Sequence, residues 1–192
     1  MNPKTAQIDE ALFTFLDVET TGLSPKRERV CEIAMSGFRN FKRVYFFSSL
    51  VNPQKNIPPE VVALNGITDE MVAKSPLFSD LIPAILANIQ DSVLVGHNIN
   101  FDVEFMNSEF ERAGFKFPRL AVIDTWKMAK KFGKFSSNSL GNVARRLEIS
   151  TENWHRAASD IEMTRKIFEH FTVMLRKDGV NTVKELIRAV ED

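Results

Sequence analysis

Two acidic side chains, Asp17 and Glu19, lie two positions apart at the end of an apolar run. Side chains at positions i and i+2 of a β-strand share one face, so a strand here would point both carboxylates the same way. Carboxylates held this close repel each other, which raises a pKa unless a cation lies between them. Oxygen ligands of this kind favour Mg²⁺ or Mn²⁺. The pair is therefore a candidate metal site, although a solvated strand end would have the same sequence.

Two further segments place acidic residues at the expected ends of secondary-structure elements. Residues 96–102 read Gly-His-Asn-Ile-Asn-Phe-Asp, between a strand pattern and a helical pattern, and residues 155–160 read His-Arg-Ala-Ala-Ser-Asp, where a long helical pattern opens. Their carboxylates are Asp102 and Asp160. Any chain with 25 acidic residues produces Asp-x-Glu pairs freely, so it is the three separated carboxylate sites together that favour a metal centre.

Positioning these carboxylates requires strands and helices that end beside one another. Apolar segments rich in Val, Ile, Leu and Phe predict five strands, at 11–18, 30–38, 41–51, 92–96 and 120–123. The second and third form a hairpin, and the last two alternate with helical patterns, which is typical of parallel βαβ units. The predicted fold class is therefore α/β, with three antiparallel strands and then two parallel strands in one mixed sheet flanked by helices.

Helical periodicity accounts for most of the remaining chain. It predicts helices at about 75–90, 101–113, 125–132, 140–147, 157–175 and 180–190. At about 150 residues per domain, a chain of 192 residues indicates one domain. We expect residues 1–192 to form that domain, with a core from about 11 to 176 and a short C-terminal helix over about 180–190.

The composition excludes several classes of protein. With 44% hydrophobic and 26% charged residues, the chain matches globular domains rather than disordered or collagen-like chains. Its apolar segments are far shorter than the roughly 20 residues of a membrane span. Residues 1–10 lack the apolar stretch of a signal peptide, and the single cysteine, Cys31, cannot form an intramolecular disulfide. We therefore expect a cytoplasmic protein with no membrane contact.

The formal net charge of zero hides a segregation of charge along the chain. Residues 112–146 contain nine basic residues and one acidic residue, a net charge of +8 that the other segments balance. Within this stretch Lys127, Lys130, Lys131 and Lys134 follow helical spacing and would form a basic stripe. A solvated helix face is the simpler interpretation, and a role in substrate binding requires an active site beside the stripe.

Three motifs, taken in order, resemble those of one enzyme family. Residues 17–23, which read Asp-Val-Glu-Thr-Thr-Gly-Leu, and the segments 98–102 and 155–160 are similar to the motifs of DnaQ-like 3′-to-5′ exonucleases. The pattern is of the DEDDh type, which is named for four acidic residues and a histidine. The resemblance extends from residue 13 to about residue 175 and implies a ribonuclease H-like fold.

The resemblance also implies a catalytic centre with two divalent cations, Mg²⁺ or Mn²⁺. Asp17, Glu19, Asp102 and Asp160 would be metal ligands and catalytic residues, with Asp102 acting partly through water. Two such ions, about 3.5 to 4 Å apart, can hold the attacking and leaving oxygens of a phosphoryl displacement. His155 would be the general base, because an imidazole with an ordinary pKa of about 6.5 can accept a proton from the attacking water at neutral pH.

The same resemblance implies contacts with the terminal nucleotide, and Leu23 would be an apolar wedge there. Asn65 stands where the family often has the histidine of a His-Gly-Ile segment, but an Asn-Gly turn that ends a short helix explains it as well. Phe101 would stack on a base or belong to the core. The full set of substrate-binding candidates is Thr20, Thr21, Gly22, Leu23, Asn65 and Phe101.

Two other residues of reactive type have simpler explanations. His97 lies at a strand end, where we expect a hydrogen-bonding support rather than a metal ligand. Cys31 lies within an apolar run and is expected to be a buried small hydrophobic residue.

The predicted function is release of nucleoside 5′-monophosphates from the 3′ end of DNA, in proofreading or repair. DNA is preferred because residues 17–23 resemble polymerase-associated members more than oligoribonucleases. A 3′-to-5′ exoribonuclease that trims RNA is one alternative, and a non-catalytic nucleic-acid-binding module with the same fold is another. The expected partner is a nucleic acid with a free 3′ end, single-stranded or frayed, and a DNA polymerase subunit is a further possible partner.

Overall fold

A five-stranded mixed sheet forms the centre of the protein. The computed structural model describes residues 5–151 and 156–191. β1 pairs antiparallel with β2, and β2 with β3, whereas β4 is parallel to β1 and β5 is parallel to β4. This arrangement confirms the predicted fold class. In the spatial order β3-β2-β1-β4-β5, the strands are β1 (Leu12–Thr20), β2 (Val30–Arg39), β3 (Lys42–Leu50), β4 (Ser92–Gly96) and β5 (Ala121–Asp124).

Helices connect the strands and cover the sheet. Those in the described part of the chain are α1 (Pro59–Asn65), α2 (Asp69–Val72), α3 (Phe78–Ile89), α4 (Asn100–Arg112), α5 (Thr125–Phe132), α6 (Leu140–Arg146), α7 (Ala157–Lys177) and α8 (Val183–Glu191). α3 begins three residues later than expected, because the Asp80 carboxylate accepts the Leu77 N–H at 3.0 Å and starts the helix there. Within the described residues, no helix combines the length and hydrophobicity needed to cross a membrane.

The two faces of the sheet pack against different helices and divide the core into two large parts. On one face α5, α6, α7 and α8 enclose Phe13, Phe15 and Phe168, whose rings are in contact. On the other face α3 and α4 contribute Phe105 and Phe110 among the buried residues. Because β2 is covered on both faces, nearly all of its side chains are buried, whereas the side chains of the edge strand β3 are largely accessible.

β4 is shorter than β1, and this difference opens the sheet where the acidic residues lie. The parallel ladder between β1 and β4 ends at Phe15 and Val95, while the antiparallel ladder between β1 and β2 continues to Thr20. Residues 16–20 of β1 therefore have a strand neighbour on one side only. Pairing with β2 also explains why β1 runs to Thr20, beyond the expected end at residue 18.

Candidate active site

β1 directs Asp17 and Glu19 toward the α7 side of the sheet. Side chains alternate along a strand, so Phe13, Phe15 and the two acidic residues lie on the same face of β1. Phe13 and Phe15 are buried in the core beneath α7. Asp17 and Glu19 continue this row past the core and are partly accessible. The first half of β1 is thus held in place by apolar packing, and its second half presents the carboxylates of Asp17 and Glu19.

α7 brings a third carboxylate to the same place. Asp160 lies in the first turn of α7, and its side chain is buried. One carboxylate oxygen from each of Asp17, Glu19 and Asp160 lies within 4.8 Å of the others. The structure therefore brings together three acidic residues that the sequence analysis took from opposite ends of the chain. We call these three residues the acidic cluster.

Burial and repulsion raise the pKa values of two members of the acidic cluster, Asp17 and Glu19. Loss of hydration, followed by the charges of neighbouring carboxylates with Asp102 first, raises the pKa of Asp17 well above its ordinary value. Loss of hydration also raises the pKa of Glu19 to about 7, although a hydrogen bond from Asn65 opposes the change. A cation between the carboxylates would stabilise their charged forms.

α4 places Asp102 beside β1, where β4 has already ended. Its Oδ1 accepts the Val18 N–H at 3.0 Å, so the side chain replaces the strand partner that β1 lacks there. Burial raises the pKa of Asp102 to about 8, and the Val18 hydrogen bond opposes this rise. Asp102 is not one of the three mutually close acids, but its charge acts on Asp17. One carboxylate oxygen is therefore committed to the backbone of β1.

Asn65 lies at the end of α1 and contacts the acidic cluster directly. Its Oδ1 accepts the Ile67 N–H at 3.0 Å, and its Nδ2 donates to Glu19 Oε2 at 3.2 Å. The bond from Ile67 fixes which end of the amide faces Glu19. Gly66 follows with a φ of 73°, which ends the helix as expected for an Asn-Gly turn. The residue predicted to meet the nucleotide thus orients a carboxylate of the cluster.

Glu32 and Arg156 are two residues near the site that sequence patterns did not indicate. Glu32 lies opposite Glu19 on β2 and is only 4% exposed. Its carboxylate accepts bonds from Arg156 Nη2 at 2.7 Å, from Arg156 Nε at 3.2 Å and from the Ala157 N–H at 3.1 Å. We call these contacts the site clamp. The sequence did contain one indication of this ion pair: Glu32 interrupts an apolar strand, and a buried charge requires a partner.

A second buried glutamate makes the same set of contacts elsewhere. Glu109 of α4 is 1% exposed and accepts bonds from Arg29 Nε at 2.8 Å, from Arg29 Nη2 at 3.1 Å and from the Val30 N–H at 3.1 Å. Arg112 adds a second guanidinium 3.3 Å from the same carboxylate. We call these contacts the loop clamp, because Arg29 ends the loop that follows β1.

That loop contains the first predicted substrate residues. The Thr21 N–H donates to the Arg29 carbonyl at 2.8 Å, and the Thr21 hydroxyl donates to Glu28 at 2.6 Å. The Thr20 hydroxyl donates to the Gly22 carbonyl at 2.7 Å. A Cβ atom at Gly22 would lie 2.9 Å from Glu28 Cγ, so this close approach favours glycine. Hydrogen bonds therefore fix the loop immediately beyond Glu19.

The two apolar substrate candidates differ in their environment. Leu23 is 86% exposed and projects from the loop into solvent. Phe101 is partly buried at the start of α4, with its ring centroid 4.9 Å from that of Phe105, and it packs against the core under α3 and α4. Leu23 is thus free to contact a ligand, whereas Phe101 already has a packing role.

The predicted general base, His155, lies outside the described residues, so the structure places only the residues that follow it, beginning with Arg156. His97 has the hydrogen-bonding environment expected of it. Its Nε2 lies 2.7 Å from the Asn138 carbonyl, to which the ring donates, and its Nδ1 lies 2.9 Å from the Thr125 hydroxyl, which itself donates to the Gly96 carbonyl at 3.1 Å. Burial lowers the pKa of His97, which favours the neutral imidazole.

The basic stripe lies on α5 and the residues just after it. All four lysines are exposed. Lys131 Nζ donates to the Ala189 carbonyl at 2.8 Å and so links α5 to α8. Lys130 Nζ lies 5.1 Å from the ring centroid of Trp126. Within the part of the chain that the structure describes, Lys130 and Lys134 have no carboxylate partner, so their charges are available to a polyanion.

The donor set of the acidic cluster fits a hard divalent cation. It consists of carboxylate oxygens alone, which suit Mg²⁺ or Mn²⁺ better than softer metals. Cys31 lies next to Glu32 on β2 and is fully buried, as expected. Burial, together with the charges of Glu19 and Glu32, raises the pKa of the Cys31 thiol to about 12, so the residue does not offer a thiolate. The residues present could thus hold a metal ion through oxygen.

Comparison with known proteins assigns the chain to a family. The family RNase_T, described as Exonuclease, matches residues 14–168. The chain is 34% identical to the 3′-5′ exonuclease DinG of Bacillus subtilis over 178 residues, which cover 92% of this chain and 19% of that protein. It is 33% identical to the DNA polymerase III subunit epsilon of Treponema pallidum over 198 residues, which cover 95% of this chain and 90% of the subunit. The chain thus spans about a fifth of the first relative and nearly all of the second.

Comparison with solved structures supports the fold. The zinc-bound complex of E. coli exonuclease I with single-stranded DNA superposes with a TM-score of 0.77 and 18% identity, over 88% of this chain and 41% of that chain. This similarity supports the ribonuclease H-like fold. The family match over most of the sequence shows that the chain belongs to the exonuclease family.

Proposed function

We propose that this chain is a metal-dependent 3′-to-5′ exonuclease that releases nucleoside 5′-monophosphates from the 3′ end of DNA. The observation that carries the proposal is the acidic cluster, in which Asp17, Glu19 and Asp160 place carboxylate oxygens within 4.8 Å of one another. Asp102 lies beside the cluster, and its charge acts on Asp17. Carboxylates that converge where β1 extends beyond β4 are suited to hold divalent cations rather than to stabilise the fold.

The acidic residues would hold two divalent cations, Mg²⁺ or Mn²⁺, with Asp17, Glu19 and Asp160 as direct ligands. When bound, such ions neutralise the charge that develops on the phosphate during in-line displacement. Asp102 keeps β1 in place through Val18, and Asn65 keeps the Glu19 carboxylate oriented. We propose that His155 accepts the proton of the attacking water, because neutral imidazole is abundant near pH 7.

The loop that follows Glu19 would bind the terminal nucleotide. Thr20, Thr21 and Gly22 are held by their own hydrogen bonds, and the exposed Leu23 would wedge against the last base. Phe101 and Asn65 would complete the nucleotide pocket from α4 and α1. A frayed or single-stranded end suits such a pocket, because apolar contact with a base needs no particular sequence.

DNA is the proposed substrate and a polymerase subunit a proposed partner. The relative that this chain covers almost completely is a DNA polymerase III subunit, and the solved structure of similar fold contains single-stranded DNA. We also propose that residues 1–192 form one domain, because Val183, Leu186 and Val190 of α8 are buried in the same core cluster as Phe13 of β1 and Phe168 of α7. The cytoplasmic location stays a prediction.

A ladder assay tests the proposed reaction. DNA and RNA oligonucleotides of the same sequence, labelled at the 5′ end and both single-stranded and duplex, are incubated with Mg²⁺, Mn²⁺ or EDTA. We expect the DNA to shorten stepwise from its 3′ end with either ion and not with EDTA. Asp17→Asn should lower the rate by at least about a thousandfold, because the isosteric amide removes a charge that the cations require. Its melting temperature without metal should not fall, because the substitution also removes repulsion.

Other outcomes of the same assay contradict parts of the proposal. Faster shortening of RNA than of DNA would support the exoribonuclease alternative. Tight binding of the DNA without shortening under Mn²⁺ would support a non-catalytic binding module. Full activity of Asp17→Asn after EDTA treatment and return of metal would exclude the acidic cluster as the catalytic centre.

A further inference from the structure

We propose that Glu32 and Arg156 are positioning residues, and that the site clamp fixes the first turn of α7 against the acidic end of β1. Asp160, a proposed metal ligand, lies within that turn, and the proposed general base His155 directly precedes Arg156 in the sequence. The inference rests on the proposed function, but part of its test needs no turnover.

The start of α7 takes its cap from β2 rather than from its own sequence. Arg156 precedes the helix with φ −128° and ψ 127°, and no side chain at this position caps the helix. The Ala157 N–H, one of the amides that a helix cannot satisfy internally, instead donates to Glu32 Oε2 at 3.1 Å. A carboxylate at this end also interacts favourably with the helix dipole. The Glu32 carboxylate of β2 therefore caps the N-terminus of α7.

The arginine contact adds orientation to this cap. Arg156 presents Nε and Nη2 to the two oxygens of one carboxylate, and such paired bonds fix both the distance and the plane of the guanidinium. The same residue is therefore held at its side chain and, through the Ala157 amide, at the next peptide unit. Its backbone carbonyl accepts the Asp160 N–H at 3.1 Å, which connects the clamp to the metal-binding carboxylate.

The position of the site clamp places one more negative charge beside the acidic cluster, which is electrostatically unfavourable. Glu32 lies opposite Glu19, and its charge is one of those that raise the pKa values of Asp17 and Glu19. Arg156 acts in the opposite direction on Glu19. Glu32 loses its hydration while the Arg156 side chain stays 42% exposed, and a carboxylate buried in this way seldom stabilises a fold more than apolar packing would. The repulsion and lost hydration of Glu32 would be offset if the clamp places charged groups accurately at the reacting centre.

Two single variants and their combination test the role in the reaction. At saturating Mn²⁺ and with a single-stranded DNA oligonucleotide, Glu32→Gln should lower kcat about 10- to 100-fold, the usual range for residues that orient metal ligands. KM should stay within about twofold, because no substrate contact is lost. Arg156→Lys should act in the same direction, since lysine keeps the charge but cannot make the paired bonds. The double variant should be no slower than the slower single variant, because both residues act through one contact.

Hydrogen exchange followed by mass spectrometry tests the placement without turnover. In EDTA, the Ala157 amide should exchange about tenfold faster in Glu32→Gln and in Arg156→Lys, which corresponds to a loss of about 1.4 kcal/mol from its charge-assisted bond. This measurement remains valid if the protein shows no nuclease activity. Failure of the proposed function and failure of the clamp can therefore be told apart.

Arg176→Gln is the control, because Arg176 also makes two bonds with one carboxylate, from Nη1 and Nη2 to Asp9, at the far end of α7. It should leave kcat and the exchange of Ala157 unchanged. Three results would overturn the proposal: unchanged Ala157 exchange in both clamp variants, a kcat within twofold of wild type despite faster exchange, or multiplied losses in the double variant.

Discussion

The site clamp and the loop clamp have the same construction in two regions of the molecule. In each, a buried glutamate receives two bonds from an arginine and a third from the backbone N–H of the next residue. In each, the arginine lies where a loop passes into a regular element, α7 in one case and β2 in the other. The contacts alone would suggest that the two clamps have equal roles.

Their surroundings differ in charge. Glu32 lies beside the acidic cluster, where Asp17 and Glu19 repel it. The positive charge of Arg156 partly offsets this repulsion. Glu109 has two guanidiniums, those of Arg29 and Arg112, within reach. Removal of each glutamate therefore has opposite electrostatic consequences: near Glu32 it relieves repulsion, and near Glu109 it creates repulsion. The same local construction can thus serve reaction geometry in one place and stability in the other.

The largest difference should appear in the stability of the metal-free protein. Glu109→Ala should lower the free energy of unfolding by about 3 kcal/mol, the low end for breaking a buried ion pair, because its arginines retain some solvent contact. Glu32→Ala should cost less than half as much, because the repulsion it relieves offsets the lost bonds. Urea denaturation in EDTA at pH 7.5 measures both values. Equal losses would show that the acidic cluster does not influence Glu32.

A smaller effect should appear in the dependence of stability on pH. The pKa of Glu19 is raised to about 7 and that of Asp102 to about 8, so the folded protein retains protons that the unfolded chain has already released. Because the folded state binds more protons above the ordinary carboxylate range, its stability should fall as pH rises from 5 to 8, by about 2 kcal/mol after allowance for solvent. Urea titrations in EDTA at several pH values check this sign.

Two comparisons sharpen this pH prediction. Glu32→Gln should make the slope shallower, because the Glu32 charge contributes to the raised pKa values of Asp17 and Glu19. Glu109→Gln should leave the slope as it is, because Glu109 is not among the charges that raise those values. Saturating Mn²⁺ should reverse the sign, since the cation competes with protons for the same oxygens. A stability that rises with pH in EDTA would contradict the burial of these acids.

Local pattern was sufficient to predict the strands of the sheet and the shared face of Asp17 and Glu19. Strands appear as apolar runs because they are buried on one or both faces, and α7 shows its core-facing stripe directly. Asp17 and Glu19 share a face because a strand repeats every two residues. These properties depend on neighbours in the sequence, so they can be predicted without knowledge of the fold.

The partners of the site residues could not be predicted in the same way. Glu32 meets Arg156 across 124 positions, and Asn65 meets Glu19 across 46. Such pairs exist only after the elements have packed. A weaker signal was present, since Glu32 interrupts an apolar strand and Glu109 falls beside the buried Phe110 on α4. A charge at a core-facing position indicates that a partner exists, but not which residue it is.

The smallest expected effect concerns charges that belong to neither clamp. The arginines of both clamps are already paired with carboxylates, whereas Lys130 and Lys134 have no carboxylate partner in the described parts of the chain. If these lysines contact the DNA backbone, each substitution to alanine should reduce the slope of log KM against log salt concentration by about 0.7. Lys131→Ala is the matched control, because its ammonium already donates to the Ala189 carbonyl. Equal slopes for all three variants and wild type would show that the stripe faces solvent, and that steering of the substrate depends on other charges.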